Sequence, residues 1–427
     1  MVGGRTLVVL ILTVACTAAP IVAPTRRAVQ CGNLREPSQR DAVERIPRRV
    51  VARRWIAKTD SDEVLWTDPR TLRPLGRRRV PIPKQTWIQS LHADGRTVAL
   101  AAGRVWLVDA ETMRVTGSRL VRGGVSGLAW IGSHLAVLTQ AAVLWLDRSG
   151  RQVSSTGLDG RAVRWAATAN GFVVLTEARA GASMPPSLTW SAPDGDPRTV
   201  VLDQVTAGHD PDEGAFGTLI APGMAVDDIG DRAVVVQSDG PIAEVDLATM
   251  AVTYHDLRTA AFLPSAEAKL SDWSNLEAQW LGDDLVAVWG NKSITLTDGQ
   301  GSDDFSMREV ALGLSLLDLR SWSMCEVDPT VVDVAITNGR MLARATGTEG
   351  RNDDTLVAYD SAGRALWRRF GERRTFDIDA QGPFVYAVMS WEGWLVRIID
   401  AETGKFLDVR HHRPPTLLVP GSSISSG

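Results

Sequence analysis

LAWIGSHLAVLTQAAVLWLDRSGRQV, residues 128–153, runs as an apolar strand, a tight turn at Gly132, a second apolar strand, then VLWL ending at Asp147, a polar turn and a fourth strand. The apolar runs are short, rich in Leu, Val, Ala and Trp, and bounded by Gly, Ser and Asp. That is strand and turn chemistry rather than helix chemistry. Two hairpins in succession make one four-stranded antiparallel unit.

The unit recurs along the chain. Gly95, Gly132, Gly171, Gly230, Gly282, Gly339 and Gly382 mark the first turn of each copy. Asp109, Asp147, Asp246, Asp360 and Asp400 mark the clear cases of the second. A repeat of about 40 residues built this way is the signature of a β-propeller, whose blades are four-stranded sheets around an axis. An eighth second-hairpin signal, EVLWTDPRTLRPL around Asp68, follows VARRWIA (51–57) and lacks a first strand. PTLLVPG, with Leu417, Leu418 and Val419, supplies one from the far end. The expectation is an all-β, eight-bladed propeller over residues 49–420, with seven blades as the alternative count. Its closing blade is shared by the two ends of the chain, which removes exposed sheet edges.

Trp66, Trp106, Trp145 and Trp190 recur just before the turn that ends the third strand. A Trp at a fixed blade position reads as packing between blades. One helix is expected, over 265–280, with Ser265 as cap and Leu270, Trp273, Leu276 and Trp280 near one face. Five connections look long: 203–222, 257–275 and 312–330 between blades, and 177–187 and 346–355 between second and third strands. In a propeller these share one face, so elaboration is expected on that face, where binding residues are commonly carried.

Of 427 residues, 44% are hydrophobic and 22% charged, a globular composition, and the net charge is −4. Residues 26–79 carry 15 Lys/Arg against 7 Asp/Glu. This basic stretch (25–48 as a linker) suits a solvated lead-in or contact with anionic lipid. No sustained basic face follows, so nucleic acid is not an expected partner. The start, MVGGRTLVVLILTVACTAAP, has a charged residue, an apolar run and small residues, which reads as an export signal or anchor over 1–24. Cys16 follows Leu12, Thr13, Val14 and Ala15 and resembles the lipidated cysteine of a bacterial lipobox. Residues 421–427 read as a disordered tail. Cys31 and Cys325 then remain as a pair, and an oxidising compartment permits a disulfide worth roughly 4–5 kcal/mol by chain entropy.

Chemistry-bearing residues are sparse. His209, Asp210, Asp212 and Glu213 in AGHDPDEGAFG form an acidic loop without calcium-loop spacing. The six histidines lack zinc-type spacing, and no nucleophile elbow, phosphate loop or dinucleotide fingerprint is present. No cofactor, metal or catalytic residue is expected. Trp273 and Trp322, placed in two of the long connections, join the acidic loop as candidate contacts with a partner.

VWLVDAETMRV and VRIIDAETGKFLDV resemble the repeat of the quinoprotein-like (PQQ-like) propellers, in which a strand, D-x-x-T-G and a strand end each blade. Asp400, Thr403, Gly404 and Lys405 match it best; Asp109 with Thr112 and Asp360 with Gly363 match in part. The resemblance implies eight blades and covers a family of quinone-dependent dehydrogenases and exported, non-enzymatic scaffolds. Adjacent cysteines of the dehydrogenase kind are absent. The leading functional expectation is an exported, membrane-tethered propeller that binds an envelope protein, peptide or glycan through its elaborated face. The alternative is an extracytoplasmic hydrolase, lyase or quinone-dependent dehydrogenase with a site at the axis.

Overall fold

The computed structural model describes Cys31 and most of residues 55–418. Residues 1–30, 32–54 and 419–427 lie outside the description, as do several segments between strands, among them 80–87, 92–96, 178–184, 211–217, 258–271, 298–304, 347–354 and 413–416. The expected export segment, Cys16, nearly all of the linker, Asp212, Glu213 and the tail therefore lie outside the described residues.

The strands fall into eight sheets in chain order, antiparallel apart from one added pair in the sixth. The first holds β1 (Trp55–Lys58), β2 (Glu63–Thr67) and β3 (Pro74–Arg79). The second holds β4 (Ile88–Leu91), β5 (Thr97–Ala101), β6 (Arg104–Asp109) and β7 (Val115–Leu120). The third holds β8 (Gly127–Ile131), β9 (His134–Leu138), β10 (Ala142–Leu146) and β11 (Gln152–Gly157). The fourth holds β12 (Ala162–Ala167), β13 (Phe172–Thr176), β14 (Ser187–Ser191) and β15 (Arg198–Val201). A small hairpin follows, β16 (Gly208–Asp210) and β17 (Thr218–Ala221). The fifth sheet holds β18 (Gly223–Val226), β19 (Arg232–Val236), β20 (Ile242–Asp246) and β21 (Val252–His255). The sixth holds β22 (Asp272–Gly282), β23 (Leu285–Thr297), β24 (Phe305–Asp318) and β25 (Ser323–Asp328). The seventh holds β26 (Val331–Thr337), β27 (Arg340–Ala345), β28 (Thr355–Asp360) and β29 (Ala365–Phe370). The eighth holds β30 (Thr375–Gln381), β31 (Phe384–Ser390), β32 (Trp394–Asp400) and β33 (Phe406–His412). Last comes β34 (Leu417–Leu418), which pairs with β1 through Ile56 opposite Leu418 and Ala57 opposite Leu417. The first sheet therefore reads β34-β1-β2-β3, closed by the two ends of the chain as expected.

The buried residues explain why the sheets stack into a ring. In β9, Leu135 and Val137 pack with Ala99 and Leu107 of the second sheet, whereas Ala136 and Leu138 pack with Phe172 and Val174 of the fourth. A strand with a neighbouring sheet on each side must be apolar on both faces, so its sequence reads as a continuous run rather than an alternation. The same division continues between the fourth and fifth, fifth and sixth, sixth and seventh, and seventh and eighth sheets. First strands of consecutive sheets approach one another, as β12 does β8 and β18, which sets them at the axis. Fourth strands such as β7 and β15 are largely exposed and form the rim.

Two turn devices recur among the sheets. Gly132, Gly339 and Gly382 take positive φ of 55°, 70° and 54° in the first turn. Gly171 does not; there the requirement is space, because a Cβ would overlap the Trp190 indole. The Asp of the second turn accepts bonds from the backbone ahead of it. Asp400 Oδ1 takes the N–H of Thr403 at 2.8 Å and its hydroxyl at 2.9 Å. Asp109 with Thr112 and Asp246 with Thr249 repeat this arrangement.

Trp106 and Trp145 are 5% and 0% exposed, in keeping with packing between blades. Two expectations are corrected. Residues 272–280 are strand rather than helix, because β22 pairs with β23 along its whole length. Leu276, Ala278 and Trp280 share one cluster, a period of two that outweighs the helical spacing. Residues 312–330 are not a long connection: they are the end of β24, a turn and β25.

Candidate functional site

The sixth sheet is the irregular one. β22, β23 and β24 have 11, 13 and 14 residues, whereas the corresponding strands of the seventh sheet have 7, 6 and 6. The register shows where the surplus lies. Leu276 stands opposite Gly290, and Gly290 opposite Gly313, with a bulge between Gly290 and Asn291. At Gly290 a Cβ would run into the backbone of Asn275, and Gly313 takes φ 86°. These two glycines form a neck. Below it the sheet is an ordinary blade. Above it the start of β22, the end of β23 and the start of β24 continue as a projection on the face where second and third strands connect.

The β16–β17 hairpin completes this projection. β17 pairs in parallel with β22, Leu219 with Trp273, Ile220 with Ser274 and Ala221 with Asn275, all at or above the neck. Six strands result, in the order β16-β17-β22-β23-β24-β25. One row of the register runs His209, Leu219, Trp273, Ser293 and Glu309. His209 and Trp273, chosen from separate stretches of sequence, are thus brought into one row, with Asp210 one step away opposite Thr218. The elaboration on this face is built of strands as well as connections.

Arg164 of β12 lies under the neck, 6% exposed. Its Nη2 donates to the Leu276 carbonyl at 2.8 Å, to Asn275 Oδ1 and to the Ala221 carbonyl at 3.5 Å. Nη1 donates to the Val163 carbonyl at 3.1 Å, and Glu277 Oε1 stands 3.5 Å from Nη2. Burial pushes the Glu277 carboxyl up, and Arg164 offsets part of that shift. Arg164 and Glu277 share one register position of the first strands with Gly223, Asp333 and Asp377. The glycine in the intervening fifth sheet fits this position, because a Cβ there would meet the backbone of Glu277 at 2.9 Å.

Trp322 lies elsewhere. It sits in the turn between β24 and β25, at the opposite end of β24 from the projection, with φ 49°. Its ring stacks on His255 with centroids 3.2 Å apart, and His255 Nε2 is 3.1 Å from Glu244. Arg232 reaches Glu244 and Asp284, and Arg320 Nε donates to Asp284 at 2.9 Å. Trp322 thus joins the fifth and sixth sheets at the rim, where other pairs of sheets use hydrogen bonds such as Arg198 to the Ala248 carbonyl and Arg369 to the Gly404 carbonyl.

Sequence reading missed Arg164, Asn275 and Glu277. Arg164 had a signal, being the single charged residue in the strand AVRWAA. Among the described residues no three His, Cys, Asp or Glu side chains are grouped to hold a metal ion. No described helix is long and apolar enough to cross a membrane. Cys31 and Cys325 form the expected disulfide, joining the lead-in to β25.

No family model matches the chain, and no curated protein matches it. Solved structures do. The dihydro-heme d1 dehydrogenase NirN is similar at 13% identity and a TM-score of 0.56, over 85% of this chain and 74% of that one. The C-terminal WD40 domain of Sif2 is similar at 11% identity and a TM-score of 0.51, over 82% and 93%. These likenesses show the fold: the protein is a β-propeller.

Proposed function

We propose that this β-propeller is an exported scaffold, tethered to the membrane by its N-terminal segment or by lipid on Cys16, that binds an envelope protein, peptide or glycan. The binding face is the projection of the sixth sheet with its added hairpin. The observation that carries this reading is the one-sided build: three strands overrun the blade on one face, and a hairpin from another connection is added to them. Contact area carried on hydrogen-bonded strands needs less ordering on binding than area carried on loops, which lowers the entropic cost of binding. The disulfide between Cys31 and Cys325 fits an oxidising, extracytoplasmic compartment. The enzyme reading draws on Arg164, Glu277, Asp333 and Asp377 at one level of the first strands. Arg164 and Glu277 are engaged with each other and with the neck, which favours a structural use.

The test is crosslinking in intact cells with the full chain and with a His209→Ala, Asp210→Ala, Trp273→Ala variant. Crosslinked partners are expected to fall about tenfold or more if these residues anchor the contact. An unchanged partner profile from a folded, exported variant would reject this face.

A further inference from the structure

We infer that Arg164 is the latch that positions the β16–β17 hairpin, and that the hairpin's order depends on this one side chain from a different sheet. A short two-stranded hairpin is marginal alone. Here β16 and β17 have 3 and 4 residues, and β17 pairs with β22 at only three positions. The guanidinium of Arg164 stands where β17 ends and the neck begins. Its Nη2 faces the Ala221 carbonyl at the end of β17, Asn275 Oδ1 opposite Ala221, and the next carbonyl of β22, Leu276. One planar group therefore bonds both members of the parallel pair at its last register position. Glu277 supplies the opposing charge from the same strand. Gly223 leaves the passage from the fourth sheet to the sixth open, since a side chain at that level would meet Glu277 and Ala278.

The geometry separates two roles. The blades are held by apolar clusters between sheets that do not involve Arg164. Among the described residues the hairpin is joined to the sheet at the three register positions of β17 with β22, so loss of the latch is felt there first. Lysine would keep the charge but not the planar fork that reaches several acceptors at once. Insofar as binding is concerned, the inference rests on the function proposed above; the positioning of the hairpin does not.

Hydrogen exchange on the full chain tests it. In Arg164→Met, amides of 218–221 are expected to exchange about ten- to a hundredfold faster, with those of β13 and β19 unchanged. Arg164→Lys should restore only part of the protection. Asn275→Ala removes one acceptor without leaving a buried charge unpaired, so it decides the matter should Arg164→Met fail to fold, and about tenfold faster exchange is expected. Unchanged exchange at 218–221 in the folded variants would overturn the latch. Faster exchange with the same crosslinked partners would instead leave the latch standing and reject the binding face.

Discussion

At the scale of single residues, the second turns at Asp109, Asp147, Asp246, Asp360 and Asp400 each depend on one carboxylate. Asp147 Oδ1 accepts from the Ser149 hydroxyl at 2.6 Å, the Ser149 N–H at 2.9 Å and the Arg151 N–H at 3.0 Å. The Ser149 hydroxyl is the largest influence holding its pKa at about 2, against 3.8 for the free group. The native state therefore binds fewer protons than the unfolded chain between these values. The stabilisation is fully present above pH 4 and is lost as pH falls through about 2. Asp147→Asn should reduce the dependence of the urea midpoint on pH between 4 and 2, with Asp246, Asp284 and Asp400 among the described carboxylates that keep part of the slope. A slope identical to that of the parent chain would show that the turn carboxylate is not linked to folding. Most of these turns were legible because an Asp followed by Ser or Thr two or three residues on carries its own acceptor and donors within four residues. Arg164 was not, because all of its contacts with β17 and β22 span more than fifty residues of sequence.

The strands show the same division between local and distant information. Trp145 was readable as a packing residue from its recurrence, and the structure adds a polar contact. Its indole Nε1 donates to Ser191 Oγ at 2.8 Å, and Thr156 shares that hydroxyl. Strand β10 is thereby bonded to the end of β14 in the next sheet. Trp145→Ala removes a fully buried ring from between two sheets and leaves two hydroxyls to each other, so a loss of about 3–5 kcal/mol is expected in urea unfolding. Trp145→Phe, which keeps most of the apolar volume, should lose much less. Equal losses from the two would place the energy in the indole hydrogen bond rather than in packing. The sixth sheet was misread for a different reason. Its strands overrun the repeat, so the connection at 298–304 falls where a turn between third and fourth strands is expected, and the true one at 319–322 comes a full strand later. Strand length depends on partners, and the partner of β22 is a hairpin contributed by an earlier connection.

For the whole molecule, closure is made in two places by different physics. The seam between β34 and β1 is a folded-state contact with two residue pairs. The disulfide between Cys31 and Cys325 closes a stretch of 294 residues and acts chiefly on the unfolded chain, by about 5–6 kcal/mol in the chain-entropy account. It does not reinforce the seam directly. Cys325 is in β25, the rim strand of the sixth sheet, and Cys31 packs with the cluster between the sixth and seventh. Replacing both cysteines with Ala should therefore leave the seam intact and the protein folded, with the same circular dichroism. The urea midpoint should fall by the equivalent of about 2–4 kcal/mol, less than the entropic figure because unfolded chains under native conditions keep some structure. The slope of the transition should steepen, since an unlinked chain exposes more surface when it unfolds. A midpoint that does not move would mean that the lead-in is held by packing alone. Loss of the folded state would mean instead that the sixth and seventh sheets need the linked lead-in to fold.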